Sequence, residues 1–180
     1  MYLRELNKDD EFEIMNMIDE FKKEKTNYPF EGIGDFEGIS DYEELLKKLD
    51  LNKHIEDVIP EYVSQSSYAL CDDDNHIYGI LNIRYYLVLS LLRKGGNIGY
   101  AIRPLERGKG YGKLMLKLGL EICKKININK NSIYENKVLV TCRKENKASA
   151  NTILANGGIL EKELFVEENN AIEQLYWINI

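Results

Sequence analysis

Residues Arg103 to Lys113 read RPLERGKGYGK, and this stretch decides how the chain is folded. Gly108, Gly110 and Gly112 alternate with Lys109 and Tyr111 just ahead of a long amphipathic helix pattern. An apolar segment, Ile98–Ile102, precedes them and reads as a strand. A strand, a glycine-rich turn and a helix N-terminus together make a phosphate site. The first amides of a helix have no helical partner, and the helix dipole adds partial positive charge there. Glycine lets a phosphate reach those amides, where a side chain would hold it off. The stretch therefore predicts a grip on a phosphorylated cofactor.

Working outward, the helix after the glycines is expected from Gly110 to Ile126. Tyr111, Leu114, Met115, Leu118, Ile122 and Ile126 form its apolar stripe, and Lys113, Lys117, Glu121 and Lys124 face away. Residues 127–136 are polar loop, and residues 138–142 (VLVTC) read as a buried strand. A shorter helix over residues 146–156 is stopped by Gly157 and Gly158. Two last strands, 160–166 and 173–178, flank a turn at Asn169 and Asn170. On the N-terminal side, residues 1–6 read as a strand, and Asn7 or Asp9 caps a helix carrying Phe12, Met15, Ile18 and Phe21. Residues 26–38 hold one proline and three glycines and read as a loop. Asp41 caps a second helix with Leu45, Leu46 and Leu49. Residues 67–71 form a strand and residues 72–76 a hairpin turn. Residues 77–92 make a long β-type run, closed by Gly95 and Gly96. The order β-α-α-β-β-β-α-β-α-β-β implies an α/β (α+β) fold with a mixed sheet and helices on its faces, in one domain spanning residues 1–180.

The totals narrow the function. Hydrophobic residues at 44% and charged residues at 30% fit a globular chain with a real core rather than a disordered one. A net charge of −6 argues against nucleic acid as a partner. Cys71, Cys123 and Cys142 form no CxxC pair and read as free thiols of a reducing compartment. No apolar run approaches the roughly 20 residues of a membrane span, and the N-terminus has no apolar signal core, so a cytoplasmic location is expected. His54 and His76 lack a partner at ligand spacing. Asp72, Asp73 and Asp74 lack the glycine and distal glutamate of a calcium loop, so no metal is expected.

The glycines themselves sort among known phosphate grips. A Walker A loop needs GxxxxGK before Ser or Thr, but Leu114 follows Lys113 and Arg107 stands six residues before it. A dinucleotide fingerprint needs GxGxxG, whereas Gly108, Gly110 and Gly112 give GxGxG. What fits is Arg-x-x-Gly-x-Gly, filled by Arg107, Gly110 and Gly112. With the preceding strand, Pro104, the long helix, the strand KVLVTC and the segment NKASANTILANGG, the chain resembles the GNAT superfamily of acyl-CoA-dependent N-acetyltransferases.

That resemblance implies a mostly antiparallel sheet of six to seven strands with a splayed central pair. It implies acetyl-CoA as acyl donor and an amine, in a small molecule or a peptide, as acceptor. The backbone from Arg107 to Gly112, through Gly108, Lys109, Gly110 and Tyr111, would wrap the CoA pyrophosphate. Lys109 and Lys113 either rim it or are solvated surface lysines. Tyr100, Ala101 and Ile102 would pair with the pantetheine arm, and Asn146 and Ser149 would either contact it or cap their helix. The usual general acid, seven residues after the Asn, falls on Ile153, and the usual glutamate base falls on Asn97, so neither role carries over. Tyr100 and Ser149 stand as catalytic candidates. A non-catalytic acyl-CoA-binding or sensing module is the alternative. Tyr28, Glu31, Asp35, Phe36 and Glu37, acidic and aromatic, would shape the acceptor pocket. Arg84 either points to solvent or anchors a carboxylate, with strand alternation favouring solvent. Cys142 reads as a small core residue. An exposed strand over residues 174–178 could pair across a homodimer.

Overall fold

The computed structural model describes residues 1–26, 28–57, 59 and 62–180; Asn27, within the predicted loop 26–38, lies outside them. The elements follow in the expected order: β1 (Tyr2–Glu5), α1 (Glu11–Lys22), α2 (Tyr42–Asn52), β2 (Gln65–Cys71), β3 (Ile77–Arg84), β4 (Ile98–Ile102), α3 (Tyr111–Lys125), β5 (Lys137–Arg143), α4 (Lys147–Leu154), β6 (Ile159–Val166) and β7 (Ala171–Asn179). Local chemistry sets several boundaries. Asn7 caps a short 3₁₀ turn that leads into α1, and the Asp41 carboxylate accepts the Glu44 N–H to start α2. Asn170, at φ +47°, turns the chain from β6 into β7.

Among the described residues seven strands form one sheet in the order β1-β2-β3-β4-β5-β7-β6. All neighbours are antiparallel except β4 and β5, which run parallel and meet only at Ile98 and Val140. Beyond that point the two strands part. Asn97 holds the point of parting from inside: its amide donates to Arg84 O (3.2 Å) and Asn129 Oδ1 (3.1 Å) and accepts from Leu139 N (3.0 Å) and Asn129 Nδ2 (3.1 Å).

Each face of the sheet is covered by two helices. On one side Ile14, Met17, Ile18 and Phe21 of α1, Leu45 and Leu49 of α2 and the loop residues Phe30, Ile33 and Phe36 bury Ala69, Ile77 and Ile80. On the other, Met115, Leu116 and Cys123 of α3 and Ala150 and Ile153 of α4 cover Leu81, Ile83, Val138, Val140 and Tyr176. Side chains of this kind each contribute roughly 1.5–3 kcal/mol when fully buried.

Four sequence expectations are corrected. The β-type run ends at Arg84 rather than Leu92, because no neighbouring strand remains to pair with it; residues 88–93 instead fold into turns, with Leu92 N–H on Val88 O. The inner line of α3 is Met115, Leu116, Gly119 and Cys123, while Ile126 is exposed; two of these inner residues are small, so a stripe drawn through the largest apolar side chains runs to one side of it. Phe12 likewise faces solvent on α1. Finally, β7 is not an edge: it lies between β5 and β6, so residues 174–178 are already paired on both sides, and β6 forms the border.

Candidate active site

A cleft of about 1260 Å³ runs across the sheet where β4 and β5 part. At one end lies the glycine turn. Gly110 caps α3 at φ +87°, a conformation that a side chain rarely adopts. The first amide to reach back into the helix is Leu114 N–H, to Gly110 O at 3.3 Å, so the N–H groups of Tyr111, Gly112 and Lys113 are left for a ligand. Gly108, Gly110, Tyr111, Gly112, Lys113 and Arg107 all line the cleft. Arg107 is held against the turn by Ile102 O (3.1 Å) and Glu24 (3.0 Å). Lys109 does not line the cleft; it pairs with Glu106 at 2.8 Å. Arg103 fastens the whole turn to α1 through Glu13 and Glu20, each at 2.8 Å.

The middle of the cleft is a slot beside β4. Arg84 N–H bonds to Asn97 O and Arg103 N–H to Tyr78 O, so every second residue of β4 is committed to β3. The main-chain groups of Ile98, Tyr100 and Ile102 therefore face the gap left by β5. Tyr100, Ala101 and Ile102 all line the cleft, with Asn146 and Ser149 opposite. The two catalytic candidates meet there: Tyr100 OH lies 3.0 Å from Ser149 Oγ. Burial pushes the Tyr100 phenol up to about 12, so it stays protonated at neutral pH and can donate a hydrogen bond but cannot act as a base. Asn146 accepts from Ser149 N–H at 3.0 Å and so caps α4. Burial also pushes the Cys142 thiol up to about 11, which keeps it from being a nucleophilic thiolate. Ile153 lies wholly in the core rather than in the cleft, and Asn97 is spent on the strand junction.

Over the slot sits the loop between α1 and α2. Gly32, at φ +87°, lies so close to β4 that a Cβ there would stand 2.6 Å from Tyr100 O and 2.8 Å from Tyr100 N. Tyr28 and Glu31 line the far end of the cleft, whereas Phe36 is in the core, Glu37 is exposed, and Asp35 is turned to Lys48 and Gln65 (2.9 Å). Glu31 is taken up by Arg143, whose guanidinium also lies 3.6 Å from the centre of the Tyr28 ring. Arg84 does not point to solvent: it lines this end of the cleft and donates to Gly95 O and Gly96 O, both at 3.2 Å.

Sequence reading missed Glu173. It is buried on β7 directly across from Arg143 of β5, and it lines the cleft. Burial raises its carboxyl above the ordinary glutamate value, and the nearby Glu31 adds to this, against the opposing pull of an Asn169 hydrogen bond (2.9 Å) and of Arg143 and Lys94. An isolated glutamate in an alternating strand carries no signal of its own; only the β5–β7 register brings it to the cleft. Among the described residues no group of three His, Cys, Asp or Glu side chains is arranged to hold a metal, and no helix is long and apolar enough to cross a membrane.

A mostly antiparallel sheet opened between parallel central strands, with a glycine-turned helix start at the mouth of the opening, is the fold of the GNAT N-acetyltransferases. Spermidine N-acetyltransferase from Vibrio cholerae in complex with CoA and spermine shares it at 17% identity and a TM-score of 0.62, over 98% of this chain and 94% of that one. Ribosomal-protein-S5-alanine acetyltransferase from Vibrio fischeri does so at 16% identity and a TM-score of 0.63, over 98% and 91%. A dodecameric structure of the Vibrio cholerae spermidine enzyme matches at 16% identity and a TM-score of 0.60, over 98% and 92%. At these identities the likeness is one of fold. No protein-family model and no curated protein matches the sequence.

Proposed function

We propose that the protein transfers an acetyl group from acetyl-CoA to a primary amine by direct attack in a ternary complex. The observation that carries this reading is the continuity of the cleft: unpaired α3 amides at one end, an open strand edge in the middle, and a charged pocket at the other. The amides of Tyr111, Gly112 and Lys113 would take the pyrophosphate, with Lys113 at its rim. The free edge of β4 would hold the pantetheine arm as a neighbouring strand would, and one of its amides would polarise the thioester carbonyl. A thiolate with a pKa near 8.5 leaves without full protonation, so a hydrogen bond from the Tyr100–Ser149 pair is enough help.

The amine must lose a proton before it attacks, and Glu173 is the group we assign to that step. Its raised carboxyl is closer to the working pH than an ordinary glutamate, which suits a general base. The test is to incubate the protein with acetyl-CoA and a panel of amines and to follow thiol release and acetylated product. Transfer that depends on both substrates supports the reading. CoA binding with no transfer to any amine would instead favour a sensing module, and failure to bind CoA would remove the proposal altogether.

A further inference from the structure

The carboxylates at the far end of the cleft are engaged by the protein's own groups. Glu31 and Glu145 share Arg143, and Asp35 is turned to Lys48 and Gln65. Glu173 stands across from Arg143 in the β5–β7 ladder and accepts a hydrogen bond from Asn169. Two of the described cations at this end are left without an ion pair. Among the described residues no carboxylate lies within ion-pair distance of Arg84 or of Lys94, and both line the cleft. Arg84 is the more telling of the two. It is largely withdrawn from water, and it satisfies only one of its three nitrogens, Nη1, which donates to two backbone carbonyls. Its Nε and Nη2 make no hydrogen bond within the described residues. Burial without a partner also holds its pKa below the usual arginine value, with distant Asp35 opposing weakly.

A guanidinium held in this way is a fork with open prongs. The Gly95 and Gly96 carbonyls fix its plane, and the open N–H groups have the spacing that matches a carboxylate or phosphate. The anchoring segment is itself fixed, since Gly95 N–H bonds to Thr141 Oγ of β5 at 2.9 Å.

We infer that the acceptor carries an oxyanion besides its amine, and that Arg84 binds that oxyanion while the amine faces the thioester. The inference rests on the acetyl-transfer reading and names its acceptor class: amino-acid-like or phosphorylated amines rather than polyamines. Arg84 on this view is a specificity residue. It takes no part in bond making.

The experiment uses matched acceptors: several amino acids, each with its carboxamide and its decarboxylated amine, and phosphoethanolamine with ethanolamine. With the wild type, kcat/KM should favour the anionic member of a set by about 10- to 100-fold, mostly through KM, as expected for charged hydrogen bonds. The set that shows it tells carboxylate from phosphate. In Arg84→Gln that ratio should collapse toward one, and in Arg84→Lys it should fall only in part, because the charge remains and the fork is lost. A folding defect would lower both members together and leave the ratio alone. Wild-type preference for the neutral or polycationic members, or a ratio unchanged in Arg84→Gln, overturns the inference. Should no amine be acetylated, the same sets are titrated calorimetrically against the CoA-bound protein. Selective binding of the anionic members, lost in Arg84→Gln, then sustains the Arg84 site while acetyl transfer falls; absence of selectivity overturns both.

Discussion

Two residues carry most of what can be tested singly. At Gly110 the added atoms of a side chain would meet open space, so the protein itself would tolerate bulk there apart from the backbone conformation, which at φ +87° strains any L-residue. On the proposed reading, that open space would take the phosphate. Gly110→Asp should therefore weaken CoA at least about 100-fold by adding bulk and negative charge where the unpaired amides point, measured by calorimetry. Unchanged affinity would refute the phosphate site. Glu173 is the other. A raised carboxyl as base makes kcat/KM climb as pH rises through that raised value, so the acid limb should lie above the range of an ordinary glutamate near 4.5. Glu173→Gln should cost about 100-fold or more in kcat and flatten the limb. Stability moves the other way. A carboxyl raised by folding favours the native state below its unfolded pKa and loses that contribution as pH rises through the folded one. Glu173→Gln should thus leave the fold intact or firmer at pH 8, as read by thermal melting. A profile identical to the wild type would exclude Glu173 as the base.

At the scale of elements, the site depends on β4 and β5 parting at one place. Asn97 sets it, bonding to Arg84 O, Leu139 N and the Asn129 side chain from a fully buried position. Asn97→Ala leaves those groups unpaired in the interior and should cost about 2–4 kcal/mol in chemical denaturation, with CoA affinity falling as the slot loses its shape. A cost indistinguishable from zero would mean that the junction is held by strand pairing alone. The amide pattern also shows what sequence can and cannot reveal. The glycine turn was legible because its chemistry is local: strand, turn and helix start are contiguous from Ile98 to Lys125. The helix cap at Asp41 was legible for the same reason, whereas Asn7, expected to cap α1, caps the 3₁₀ turn ahead of it. Asn97 was readable only as a missing glutamate, since its partners, Asn129 and Leu139, lie 32 and 42 residues away. The pairing of Glu31 with Arg143 and the arrival of Glu173 beside it were equally hidden, because both depend on which strands become neighbours. The overlong reading of β3 has the opposite cause. Residues 85–92 have strand-like composition, but a strand needs a partner, and the ladder runs out at Gln65 and Ile98.

For the whole molecule, the cleft divides the sheet into two halves that meet at β4 and β5. The half of the sheet from β1 to β4 and the half from β5 to β6 are joined by a single residue pair, Ile98 with Val140, and by the core under α3 and α4, which spans both. The loop residue Gly32 closes over the same slot against Tyr100, and Arg107 ties the glycine turn to Glu24 beyond α1. A ligand lying in the gap would contact both halves and would bind the native state alone. Linkage then requires stabilisation that grows with ligand: about 2.7 kcal/mol at a CoA concentration one hundred times Kd. For a chain of this size, that corresponds to a rise in melting temperature of roughly 5–10 °C. ATP and NAD, which share the diphosphate but lack the pantetheine that the β4 edge would hold, should shift it far less. Gly32→Ala should reduce the CoA shift as well, because the loop cannot close without driving a methyl group into Tyr100 O and N. Equal shifts from ATP and CoA would show that the turn alone binds and that the slot beside β4 takes no part, and the reading of the cleft as one continuous site would then be wrong.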